Sequence, residues 1–489
     1  MPRRGFQRRF PPLEILTRED VDAIKRATLD ILKQTGLTID HVDALRLLEE
    51  NDCLVDYETR RARFAEGLVE ECLRRCPSSF RVKARHPDDD LVFGGNTVYF
   101  MSSPGMDTVD VDTWEPRRPT EREYIDAVRV LDALDNHDWF AGHAPYFGYE
   151  GVPEVMKITT SLAQRLRHTT RFLGQGHANH SWEWDLRLAQ AAGAEIMIPA
   201  FQVASPLSMS RETVECGFRS LEAGMPAGVD TGPLFGATAP ATLAGALAQY
   251  NAELIAGLVL IQLKKPYTRV LVWGFPNALN MRSGEPAVGT IANSLFTVAC
   301  NQVWRDYGVP LRNTASAYSK SKKIDFQNGF ERAMPALLSA LSGASSVHLH
   351  GGIYGELSHS PIQSILDDDI AGMIGRFVEG IDIDDESLAL GLINTVGPVP
   401  GQFLDTEHTS RLWQREQFIQ QCTDSLSYPE WLAGGKRDCI HHARARMEVI
   451  LASHEIKEEL TAEQAAEVDD ILAEATHFYR ERGDIELPA

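Results

Sequence analysis

Cysteine is scarce. Seven thiols in 489 residues, odd in number and scattered from Cys53 to Cys439, do not make a disulfide frame. Cys72 and Cys76 share a helical pattern with no histidine close by in sequence, so a metal knuckle is not expected there. Long apolar runs are missing as well. The longest largely apolar stretch, Leu254 to Leu263, ends at Lys264-Lys265, far short of the roughly 20 residues of a membrane span. No apolar segment of signal-peptide type follows Arg3, Arg4, Arg8 and Arg9, so a cytoplasmic location is expected. Basic residues are outnumbered: 48 Lys and Arg face 69 Asp and Glu, a net charge of −21. Nucleic-acid binding needs a basic face against phosphates, and the only basic cluster, at the N-terminus, reads as a solvated tail. Nucleotide signatures are lacking too. The stretch Gly232 to Pro240 looks like a phosphate loop but has no Gly-Lys-Ser/Thr ending, and it serves better as a cap for the helix that follows. There is no internal repeat.

What remains is a chain with 43 % apolar and 24 % charged residues, long enough for a large core. Leu16 to Asp20 reads as a helix start, with acids in the first turn and apolar residues recurring at near-helical spacing from Ile24. From Phe80 to Thr113, turn residues such as Gly94-Gly95-Asn96 separate β-branched runs, which predicts hairpins. Residues 1–130 are thus read as a helical and β cap. From Asp138 onward, short apolar strands alternate with long helices such as Thr242–Leu263 and Gly289–Tyr307. The candidate strands are Trp139–Phe147, Arg171–Gly176, Glu195–Val203, Gly228–Leu234, Arg269–Phe275, Leu311–Tyr318, Ser346–Gly351 and Leu392–Val396. Eight strands alternating with helices predict an α/β fold, a (β/α)8 TIM barrel over 131–405, followed by a helical extension over 406–489. An open doubly wound sheet is the alternative, but no Gly-x-Gly-x-x-Gly follows an early strand.

Three strands carry side chains with chemical potential. In the seventh, alternation puts Ser346, His348 and His350 on one face and Val347 with Leu349 on the other. The polar face should look into the barrel, where two histidines could bind zinc, hold an anionic group or be satisfied core residues. A zinc site would need more ligands, which His143 and His177 could supply. In the sixth, Arg312, Thr314, Ser316 and Tyr318 share a side. Arg312 is either a bidentate carboxylate clamp or one half of a structural ion pair. In the fifth, Trp273 and Phe275 stand at the C-terminal end, where barrel sites lie. They are core packing or an aromatic wall for a quaternary ammonium, an attraction of ~0.5–2 kcal/mol per ring.

Near the C-terminus the chain reads Val396-Gly397-Pro398-Val399-Pro400-Gly401-Gln402-Phe403-Leu404, then His408-Thr409, then Tyr428-Pro429-Glu430-Trp431. With Pro12 to Thr17, the run from Gly236 to Gly245, Ser319 to Glu331, Leu337 to Ala344 and Gln363 to Met373, these blocks resemble, in order, the trimethylamine:corrinoid methyltransferase (MttB-like) superfamily. The resemblance spans nearly the whole chain and implies a (β/α)8 barrel. It also implies transfer of a methyl group from a methylated amine to cob(I)alamin. Trimethylamine members carry pyrrolysine, and this chain has only ordinary residues. It therefore looks more like the betaine members, glycine betaine being the leading substrate and proline betaine, carnitine or another betaine the alternatives. By this resemblance Trp273, Phe275, Tyr146, Phe147 and Tyr354 would hold the cationic head, Arg312 and His348 the carboxylate, and no acid or base would be needed. A zinc-dependent corrinoid methyltransferase using His348 and His350 is the competing reading. No corrinoid-binding module is visible, so the corrinoid should arrive on a separate protein docking at the barrel mouth, with no metal of the enzyme's own. Nucleic-acid and membrane partners are not expected; a homo-oligomer is left open.

Overall fold

The computed structural model describes residues 5–313 and 318–485. Eight parallel strands close into a ring: β1 (Thr97–Ser102), β2 (Trp139–Phe140), β3 (Phe172–Gly174), β4 (Ile196–Val203), β5 (Ala227–Thr231), β6 (Val270–Gly274), β7 (Arg312–Asn313) and β8 (Ser346–His350). Each pairs with the next in chain order, β8 returns to β1, and a single parallel bridge, Val272 to Leu311, joins β6 to the strand leading into β7. A helix follows every strand: α1 (Glu121–Ala133), α2 (Lys157–His168), α3 (Trp182–Ala191), α4 (Arg211–Glu222), α5 (Leu243–Lys264), α6 (Ile291–Tyr307), α7 (Phe326–Leu341) and α8 (Pro361–Val378). The fold is a (β/α)8 barrel.

Local chemistry explains the helix ends. Thr120 and Glu123 form a reciprocal capping box at the start of α1. Pro361 occupies the first turn of α8, where its missing N–H costs nothing. Gly308 ends α6 in the left-handed region at φ 71°. Helix α5 is apolar on all sides because it is covered on all sides: by α4, α6, the strands, and the N-terminal helix Arg18–Asp30. It is long and apolar enough to cross a membrane, but it is a core element here.

Two placements differ from the sequence reading. The first barrel strand lies at Thr97–Ser102, inside the stretch read as cap, because a period of two reveals a strand but not which sheet it joins. Leu392–Val396, read as the eighth strand, is part of a short exposed helix, Leu390–Val396. None of its residues is buried, so β-propensity had no sheet face to act through. The hairpin Ser79–Val82 with Leu91–Gly94 plugs the N-terminal end of the barrel. Phe93 packs edge-on against Trp139, Tyr99 and Phe172, which seals that end and leaves the other open. In the C-terminal part, helix Cys439–Ser453 lies on α8 and α1, and Ala462–Glu481 lies on α3 and α2.

Candidate active site

At the C-terminal ends of the strands is a cavity of about 250 Å³. Its deep residues are Met197, Asp230, Trp273, Arg312 and His348, all nearly inaccessible to water; Phe147, Phe275, His143, His177, Gln202 and Glu356 are more accessible. Strand register aligns the floor. Gln202 pairs with Asp230, and Asp230 with Trp273. The Val272–Leu311 bridge brings Arg312 beside Trp273. The guanidinium lies 4.1 Å from the Trp273 ring centre and 5.3 Å from that of Trp139. One face of the indole is thus taken by the protein's own cation, in a cation–π contact that fixes the arginine's plane. Trp139 is held in turn by its indole N–H, which donates to Ser346 Oγ at 2.9 Å.

The upper part of the cavity is aromatic. Tyr318 stacks parallel to Phe275 at 6.4 Å, stands edge-on to His348 at 5.1 Å, and donates its hydroxyl to Glu356 at 2.5 Å. Phe147 stacks on His143 at 4.3 Å. The imidazole of His143 lies so close to Gly176 that a Cβ there would sit 1.8 Å from Nε2. Below them, the fully buried Arg165 donates to the carbonyls of Ala141 at 3.2 Å and Gly174 at 2.8 Å, and to Gln175 Oε1. It ties the ends of β2 and β3 together under the cavity.

Burial sets the charges. His143 is pushed down to about 3, first by desolvation and then by Arg165, so it is neutral; burial lowers His177 as well. Asp230 is pushed up to about 7 by desolvation, against the opposing pull of Arg312. Burial raises Glu356 too. Desolvation lowers Arg312 to about 10, and it stays charged at neutral pH.

The cavity brings together Arg312, His348, Trp273, Phe275 and Phe147, and leaves out three residues assigned to it from sequence. Tyr146 faces the other way, buried with its hydroxyl donating to Thr108 Oγ1 at 3.1 Å. Tyr354 carries the ammonium groups of Lys322 and Lys320 over its ring at 4.3 and 5.1 Å, away from the cavity. His350 was expected beside His348, but the β8 register shifts between them. This irregularity turns His350 to the outside of the barrel, against His137 and 3.6 Å from Asp368. The two histidines do not converge, and among the described residues no group of three or more His, Cys, Asp or Glu could hold a metal ion. Thr314 and Ser316 lie outside the described residues. Asp230, Glu356 and Gln175 were not read from sequence, whereas Tyr318 was read as sharing a side with Arg312. Asp230 left one trace: an acid inside the otherwise uncharged strand Ala227-Gly-Val-Asp-Thr231, near its C-terminal end.

Comparison with known proteins places this cavity in context. The sequence profile described as trimethylamine methyltransferase (MTTB) matches residues 2–145 and 187–477. The glycine betaine methyltransferase of Desulfitobacterium hafniense (strain Y51) is 28 % identical over 456 residues, covering 91 % of this chain and 94 % of that protein. The trimethylamine methyltransferase MttB of D. hafniense (strain DSM 10664 / DCB-2) is 28 % identical over 470 residues, covering 94 % of each. A crystal structure of the Methanosarcina barkeri monomethylamine methyltransferase (MtmB) aligns with 94 % of this chain and 92 % of its own, at a TM-score of 0.45 and 10 % identity.

Proposed function

Since the chain belongs to the trimethylamine methyltransferase (MTTB) family, we propose that it moves a methyl group from a quaternary amine to cob(I)alamin carried by a separate corrinoid protein. Glycine betaine is the favoured donor. The observation that carries this reading is the cavity, with a guanidinium and an imidazole in its depths and stacked rings above them. A volume of about 250 Å³ lies under the ~300–1,000 Å³ of pockets for drug-sized ligands, as suits a small zwitterion.

The chemistry asks little of the protein beyond placement. The carboxylate of the substrate pairs with Arg312, whose fork is pre-set by Trp273 and which stays cationic at neutral pH. His348 stands beside it. Phe275, backed by Tyr318, and Phe147 line the space around the methyl groups and keep water out. The acceptor docks at the open mouth. Its Co(I) supplies both electrons of the new Co–C bond, and the C–N pair leaves with nitrogen, so a quaternary ammonium departs as a neutral tertiary amine. No proton moves, and the neutral His143 is not required as a base. Holding donor and acceptor in line supplies much of the acceleration.

Incubation with cob(I)alamin and a panel of glycine betaine, proline betaine, carnitine and trimethylamine tests the reading. The visible spectrum should change from Co(I) to methyl-Co(III), fastest with glycine betaine. Absence of methylation with every quaternary amine removes it. Replacing Arg312 by alanine should weaken glycine betaine binding about 10–100-fold, the worth of a charge-assisted pair, while tetramethylammonium, which has no carboxylate, changes little. Calorimetric titration checks both, and equal losses for the two ligands take Arg312 out of the carboxylate role.

A further inference from the structure

We infer that Asp230, assisted by Glu356, is the anionic half of the cavity and takes the cationic nitrogen of the substrate, in opposition to Arg312. The inference rests on the betaine reading above and names a subsite within it.

Asp230 is 3 % exposed, and its Oδ1 has no hydrogen-bond partner among the described residues. Its Oδ2 has the amide of Gln202 at 3.5 Å, a long contact. A buried carboxyl oxygen without a donor is costly, and the cost is offset when a ligand brings the missing positive charge. Charged and titratable groups acting on it include Arg312, Glu356 and Tyr250, and His348 lines the same cavity. Of the remaining lining groups, His143 and His177 are both kept towards the neutral form by burial. Glu356 is the second acid of the cavity, held in place by Tyr318.

A full negative charge against the ammonium stabilises the bound substrate more than the transition state, in which the positive charge is leaving. The acids should therefore act on binding and not on the chemical step. The sign of the pH effect follows. Asp230 is neutral below its value of about 7 and ionised above it, so affinity for the cation is gained as pH rises through that value and lost as pH falls.

The test compares glycine betaine with 3,3-dimethylbutanoate, which keeps the shape and the carboxylate but has carbon in place of N⁺. Wild type should bind the betaine about tenfold or more tightly than its isostere. Asp230→Asn should abolish that preference while leaving isostere binding within about twofold, and Glu356→Gln should reduce it. Betaine affinity should rise between roughly pH 6 and 8 in wild type and stay flat in Asp230→Asn. In turnover, KM should rise and kcat should not fall. Equal weakening of both ligands would mean that Asp230 only positions Arg312, and a preference retained in both variants would place the nitrogen elsewhere. Either result overturns this assignment and leaves the betaine reading standing. Wild type that binds neither ligand would remove both.

Discussion

Asp367→Ala is expected to lower the unfolding free energy by about 3–5 kcal/mol, the usual cost of leaving one member of a buried ion pair without its partner. Asp367 on α8 and Arg332 on α7 are both completely inaccessible to solvent and meet at 2.6 Å. A second bond runs from Arg332 Nε to Asp367 Oδ1 at 2.9 Å. The pair also anchors the chain just beyond β8. Arg332 donates to the carbonyls of Leu349 and of Gly352, the latter at 2.7 Å, and Gly351 N–H donates to Asp367 at 2.8 Å. Gln363 donates a further bond to the carboxylate at 2.8 Å. Arginine cannot shed its charge inside a protein, so the variant keeps a buried cation that has lost the Asp367 carboxylate. Chemical denaturation should show the loss as a lowered midpoint, and the same loop carries Glu356 to the cavity, so KM should rise as well. The exposed pair Arg18–Asp22, at 3.2 Å, is the control; breaking it should cost no more than about 0.5 kcal/mol. A double replacement, Arg332→Met with Asp367→Leu, should recover only part of the stability, because it removes the buried charge but leaves the Leu349 and Gly352 carbonyls and the Gly351 N–H without these partners. A cost under about 1 kcal/mol for Asp367→Ala would mean that the loop is held by something else.

The barrel was legible because short apolar strands and long helices alternate along the sequence, a rhythm that survives errors at either end. Which strands close the ring was not legible, since Thr97–Ser102 and Leu390–Val396 have similar β-rich compositions and differ only in what packs on them. In the site, the residues that strand alternation singled out, His348, Trp273, Phe275 and Arg312, all line the cavity. It failed at His350, where a one-residue irregularity reverses the face. It could not separate Tyr146 from Phe147 either, because they lie in a loop beyond β2 where no period applies. The contact of Arg312 with Trp273 was beyond reach: two side chains read as binding opposite ends of a ligand are instead bound to each other. Asp230 leaves only one sign in the sequence, an acid in an uncharged parallel strand, a placement with few structural uses.

Gly228→Val should lower kcat/KM by about 100-fold or more, although Gly228 does not itself line the cavity. Gly228 lies in β5, two residues before Asp230 and on the same side of the strand. A Cβ at this position would fall 2.0 Å from Cη2 and 2.4 Å from Cζ3 of the Trp273 indole, and 2.9 Å from the carbonyl oxygen of Ile198. The indole cannot retreat, because Arg312 lies on its face and the aromatic plug of the barrel packs against it. Either the ring leaves its place and takes the guanidinium with it, or β5 separates from β4 and β6. Overpacking of this kind costs about 1–3 kcal/mol, so the chain should still fold, with a measurably lower melting temperature. Because the carboxylate anchor moves, binding of glycine betaine and of its carbon isostere should fall together, unlike the result expected for Asp230→Asn. Gly329, on the exposed side of α7 with nothing near its virtual Cβ, is the matched control. Alanine there should stabilise by up to about 1 kcal/mol and leave turnover alone. Retention of kcat/KM within about threefold in Gly228→Val would show that the Trp273 indole does not set the floor of the cavity.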